Sequence, residues 1–141
     1  MPVALTDDMK DRLDHALENG NPCLFAVVGP DGYPSMSYRG SLMVYDADHL
    51  AYWDRALRGA IASTKENPKV SALFRDPAAR VMWRFYGDVV AHHADGAIRD
   101  AVMARTPQRE LDADPERKGI AVMIRVNKVL ERGAVLMERE S

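Results

Sequence analysis

The chain has 141 residues, 47% of them hydrophobic and 28% charged, which is enough apolar material for the core of one domain spanning 1–141. A formal net charge of −2 lacks the basic excess of a general nucleic-acid binder. The single cysteine, Cys23, excludes an intrachain disulfide and points to a reducing, cytoplasmic setting.

The opening "MPVALTDDMKDRLDH" has neither the basic start nor the long apolar run of a signal peptide. No stretch approaches the roughly 18 apolar residues of a membrane helix, so no membrane partner is expected. Residues 6–19 read as a helix, with Thr6 or Asp7 as cap, Met9, Leu13 and Leu17 at four-residue spacing, and Gly20 as stop. "PCLFAVV" then reads as a buried strand and "GPDG" as a hairpin turn. The stretch from Tyr33 to Tyr45 alternates. Met36, Tyr38, Leu42 and Val44 share one face; Ser35, Ser37, Arg39 and Ser41 share the other. It is long for one strand, and Gly40 marks a bend or bulge in it.

After the turn "DADH", "HLAYW" is a short strand. Residues 56–66 read as a helix with Leu57, Ile61 and Thr64 inward, ended by Asn67-Pro68. "KVSALF" and "VMWRFYGDVVAHH" are strands joined by the turn-like "RDPAA". "DGAIRDAVMAR" is a helix with Ile98, Val102 and Met103 inward, and "TPQRELDADPERKG" is mostly loop with room for one helical turn. "IAVMIRVNKVLE" is a long last strand that "AVLMERE" can pair with after Gly133. Runs of strands joined by short turns, about seven with three helices, predict an α+β fold on a mostly antiparallel, barrel-like sheet.

Ser35, Ser37, Arg39 and Ser41 form a hydrogen-bonding set suited to a ligand with carbonyl, ring-nitrogen or phosphate acceptors; the same pattern also fits a solvated outer face. Arg55 and Arg58 lie three apart, share a helix face if both are helical, and can grip a phosphate. Gly59 lets a ligand approach the backbone closely. Surface pairing with Asp54 or Glu66 is the competing reading for the two arginines. Their position after Tyr52-Trp53 and beside the polar strand face favours a phosphorylated aromatic cofactor.

Three pieces of the sequence carry a resemblance: "PCLFAVVGPDGYPSMSYRGSLMVYD", "LAYWDRALRGAIASTKENPKVSALF" and "MWRFYGDVV", running from Pro22 to Val90 with a looser match through "GIAVMIRVNKV". Together they resemble the pyridoxamine 5′-phosphate oxidase-like family of FMN-binding split barrels. The resemblance implies a six-stranded split barrel with flanking helices and a homodimer with flavin at the subunit interface. It implies that the strand segment Ser37, Arg39, Gly40, Ser41 and Leu42 lines the flavin, that Tyr52 and Trp53 occupy the family's aromatic-plus-small pair, and that Arg58 is the phosphate arginine. A basic residue often stands where this chain has Gly59, and another near Leu42, so Arg39 would substitute from an offset position. These departures leave the deazaflavin F420 and haem as alternative ligands, and a non-catalytic flavin-binding dimer as an alternative role.

Met82, Trp83 and Arg84 are the candidates by which a partner subunit would complete the site, with core or interface packing as the other reading of Trp83. The implied activity is that of an FMN-dependent oxidoreductase, with hydride passing through the flavin from a reduced nicotinamide or a small organic substrate. True pyridoxamine phosphate oxidase activity is not expected, because the chain ends "VLERGAVLMERES" and has no tryptophan after Trp83. No side chain stands out as a catalytic acid, base or nucleophile. Cys23 lies in an apolar strand and is expected to be inert. His92-His93 suit either solvent or a metal, without a third ligand at matching spacing.

Overall fold

Thr6 opens the first helix as expected. Its side-chain oxygen accepts a hydrogen bond from the Met9 N–H at 3.1 Å, satisfying one of the amides a helix start leaves over. In the computed structural model, which describes residues 1–55 and 59–140, this helix is α1 (Asp7–Asp14). Successive turns carry the chain on to Gly20, so the regular helix is shorter than the predicted 6–19. Met9 and Leu13 are buried on its inner side.

Eight strands follow among the described residues: β1 (Cys23–Val28), β2 (Pro34–Arg39), β3 (Met43–Val44), β4 (His49–Asp54), β5 (Lys69–Asp76), β6 (Val81–His93), β7 (Ile120–Glu131) and β8 (Ala134–Glu138). They join in one sheet, β2-β1-β5-β6-β7-β4-β3, with β8 added to β7, and every pairing is antiparallel. The curled antiparallel sheet with a few helices is an α+β split barrel, two strands richer than the six expected. Helix α2 (Ala60–Glu66) connects β4 to β5, and α3 (Gly96–Arg105) and α4 (Gln108–Asp112) connect β6 to β7. None of the described helices is long and apolar enough to cross a membrane.

The main core lies on the concave side of the sheet, and a smaller cluster lies on the opposite face of β4 and β7 under α3. Phe25 packs against Tyr52 with ring centroids 5.0 Å apart, and Trp83 stacks on Phe74 at 5.5 Å and meets Phe85 at 6.4 Å. Each such ring contributes about 1.5–3 kcal/mol by leaving water. Cys23 belongs to this layer, and burial pushes its thiol up to about 12, the inert state expected of it. On α3, Val102 is fully buried against β4 and β7, with Ile98 and Met103 half-buried, as the periodicity predicted.

One expectation needs correction. The stretch from Tyr33 to Tyr45 is not one strand: a turn at Gly40-Ser41 separates β2 from β3, and β3 pairs with β4 rather than with β1. The register also decides which face of β2 turns inward, a point the alternation left open. Directly opposed residues in an antiparallel pair share a face. Cys23, Phe25 and Val27 point into the core, and their partners are Arg39, Ser37 and Ser35. The polar side of β2 therefore turns inward, while Met36 and Tyr38 stand 66% and 71% exposed on the outer face. Alternation marks two faces; it does not say which is inside, and β2 runs past the packed core. After the turn, Leu42 and Val44 are buried.

Candidate functional site

The inward polar side of β2 opens on a cleft of about 930 Å³. One wall is the β1–β2 hairpin with Ser35, Ser37 and Arg39; the floor is the Gly40-Ser41 turn and the end of β4 at Trp53 and Arg55; the far wall is α2, with Gly59, Ser63 and Glu66. Glu110 of α4 closes one end. This size matches a drug- or cofactor-sized ligand.

Several of the lining groups are placed by specific contacts. Ser41 is buried and stitches the turn to β4: its hydroxyl donates to the Trp53 carbonyl at 3.2 Å and accepts the Trp53 N–H at 2.9 Å. Its hydroxyl thus holds the backbone rather than facing a ligand, whereas Ser35 and Ser37 are exposed to the cleft. Arg39 lies with its guanidinium 4.9 Å from the Tyr52 ring centroid and 3.8 Å from Asp54 Oδ1. Its Nε is buried with no hydrogen-bond partner among the described residues, and the same is true of the Tyr52 hydroxyl. Burial pushes the Tyr52 phenol well above its ordinary range. A buried donor left unpaired by protein is a feature that an acceptor-bearing ligand relieves.

Trp53 is held from behind. Its indole N–H donates to Asp114 Oδ2 at 3.0 Å, and Arg99 lies 4.8 Å above its ring. Asp114 also accepts the N–H groups of Lys118 and Gly119 at 2.9 Å each. Burial alone would raise this carboxyl; the backbone donors and the indole outweigh it and hold it below the usual carboxylate range. Arg55 donates through Nε to Glu110 Oε2 at 2.7 Å. Glu110 reaches there across Gly40, where a Cβ would collide with its carboxylate oxygen.

The structure therefore brings together Ser37, Arg39, Gly40, Ser41, Trp53, Arg55 and Gly59 of the predicted set around one cleft. Leu42 and Tyr52 lie behind it in the core. Arg55 precedes α2 instead of sitting in the helix, and Arg58 and Leu57 lie outside the described residues. Met82, Trp83 and Arg84 do not line this cleft. Trp83 is core, in keeping with the packing reading, while Arg84 is exposed and Met82 half-buried on the outer face of β6. His92 meets the Thr64 hydroxyl at 2.9 Å, which ties β6 to α2; burial and the nearby Lys65 lower its pKa. Glu110, Asp114 and Arg99 went unseen in the sequence because each meets the site from the distant segment between β6 and β7, Glu110 55 residues after Arg55 and Asp114 61 after Trp53. No local spacing announces such contacts.

The fold and the site can be set beside known proteins. No curated protein matches the chain. A pyridoxamine 5′-phosphate oxidase candidate from Lactobacillus delbrueckii superposes with a TM-score of 0.67 at 24% identity, covering 90% of this chain and 93% of that one. An FMN-binding protein from Syntrophomonas wolfei gives 0.66 at 18% identity, covering 89% of each chain. An F420 reductase gives 0.66 at 21% identity, covering 89% of this chain and 98% of its own. These likenesses establish the fold. The family model described as pyridoxamine 5′-phosphate oxidase matches residues 9–128, from the first helix to the last long strand, and so the chain belongs to the pyridoxamine 5′-phosphate oxidase family.

Proposed function

We propose that the cleft binds FMN and that the protein is a flavoprotein oxidoreductase. The observation that carries this reading is the inward polar face of β2: Ser35, Ser37 and Arg39 line a cofactor-sized cleft, and the Arg39 Nε is buried without a hydrogen-bond partner among the described residues. The residues present fit the group. Ser35 and Ser37 supply hydroxyls for the carbonyls and hydroxyls of a flavin and its ribityl chain, Arg39 a cationic donor, and Arg55 a cation for the phosphate end, to which the family resemblance adds Arg58. Bound there, FMN would supply the hydride chemistry. The chain's own residues bind and orient it: Ser41 and the Asp114–Trp53 bond fix the floor, and α2 and Glu110 of α4 flank the cleft. The FMN-binding neighbour of the same fold supports this reading.

F420 is the second reading, supported by the reductase neighbour. Its acidic tail suits this cleft less well, because the described lining holds two arginines, Arg39 and Arg55, against Asp31, Glu66 and Glu110.

A homodimer is part of the same proposal. In register across the outer face run Tyr38, Leu24, Leu73, Arg84, Leu130 and Val135, an apolar row broken by one arginine. Tyr38 and Val135 at its two ends are 71% and 56% exposed. Apolar faces of this extent, with aromatic and Arg residues, are characteristic of interfaces. The electron donor and substrate are then a nicotinamide or another small molecule.

The test is the visible absorption spectrum of the purified protein before and after addition of FMN. Flavin bands retained through gel filtration are the expected result. A colourless protein that does not retain added FMN overturns the FMN reading, and titration with F420 and haem then decides between the alternatives.

A further inference from the structure

We infer that Glu110 is a tethered competitor for the anionic end of the ligand: its carboxylate occupies, from within the same chain, the place on Arg55 that a ligand phosphate would take. This rests on the reading of the cleft as a site for a phosphorylated cofactor.

The geometry is specific. Arg55 Nε and Glu110 Oε2 lie 2.7 Å apart, a short charge-assisted bond. The Glu110 side chain is only 17% exposed while that of Arg55 is 43% exposed, so the carboxylate is the more sheltered partner of the pair. Glu110 arrives from α4, across the Gly40 backbone, and Gly40 permits this because any Cβ there would strike the carboxylate. Both residues line the cleft. The other described cation of the lining, Arg39, already faces Asp54. A ligand phosphate that reaches Arg55 must displace Glu110 or lie beside a like charge, and either course weakens binding. A ligand without the anion meets neither obstacle. Glu110 thus sets how strongly the cleft discriminates between a phosphorylated ligand and its unphosphorylated form.

The inference is tested with the full-length protein and its variants Glu110→Gln and Gly40→Ala, titrated with FMN and with riboflavin by flavin fluorescence. Glutamine keeps the shape and an acceptor for Arg55 but removes the charge. Alanine at position 40 keeps the charge but pushes the carboxylate away. Glu110→Gln is expected to bind FMN roughly five- to tenfold more tightly, with riboflavin affinity unchanged, since one screened charge pair is worth about 1 kcal/mol. Gly40→Ala is expected to shift FMN in the same direction. Equal or weaker FMN binding by Glu110→Gln overturns the inference, because the carboxylate would then be orienting Arg55 for the ligand rather than competing with it. Calorimetry with inorganic phosphate separates this from a failure of the flavin reading. If no flavin binds but phosphate binds more tightly to Glu110→Gln, the flavin reading fails and the inference stands. If phosphate binding is also unchanged, the inference falls.

Discussion

The two faces of the sheet from β2 to β8 are built from residues that alternate one by one, yet they do opposite things. On the concave side Phe25, Phe74, Trp83, Phe85 and Val129 close into a packed layer. On the convex side Tyr38, Leu24, Leu73, Leu130 and Val135 form a largely apolar row that Arg84 interrupts and whose two ends stand exposed. The contrast teaches that apolar content does not identify the core of a curled sheet. Curvature does: the concave side converges on itself, and the convex side can be covered only by something else.

That contrast can be broken at three points. The largest effect is expected from Trp83→Ala. Removing a 4%-exposed ring stacked on Phe74 should cost about 3–5 kcal/mol in chemical denaturation. A loss below about 1 kcal/mol would mean that the concave layer is not the stabilising one. Next comes the convex row. Tyr38→Asp should change the stability of the fold by no more than about 0.5 kcal/mol, yet shift sedimentation at micromolar concentration from dimer toward monomer mass. An unchanged mass distribution would remove this row from the proposed interface. The smallest effect is chemical. Cys23 faces inward with its thiol pushed up to about 12, so labelling by a thiol reagent at pH 8 should be slow and should accelerate only across the unfolding transition. Rapid labelling of the native protein would show that the concave layer opens locally.

Much of the fold was legible in the sequence, for reasons that differ by element. The last two strands, the β5–β6 pair and α3 announced themselves through uninterrupted periodicity and flanking turn residues, as with Val102 on the buried stripe of α3. The stretch from Tyr33 to Tyr45 misled because its alternation continues unbroken through the Gly40-Ser41 turn. Its polar side fitted either a ligand or solvent, and the direction of that side depends on which face of β1 is buried, a tertiary fact. The cleft was legible where its residues are local, at Ser37, Arg39 and Arg55. It was illegible where the contacts are long-range: Asp114 lies 61 residues from Trp53, and Glu110 lies 55 from Arg55.

The inverted face of β2 also bears on how the chain reaches its native pairing. A slip of one residue along β1 would carry Met36 and Tyr38 inward and Ser35 and Ser37 outward, a pairing that hydrophobic burial alone would favour. What opposes the slip is the connection, where Gly29 N–H bonds the Tyr33 carbonyl at 2.9 Å, Gly32 N–H bonds the Gly29 carbonyl at 2.9 Å, and Gly32 adopts φ +84°. Arg39 reaching Asp54 pins the far end. The strand is in this sense locally frustrated, its side chains arguing for one registry and its turn for another. The groups that leave it frustrated are the ones that face the cleft.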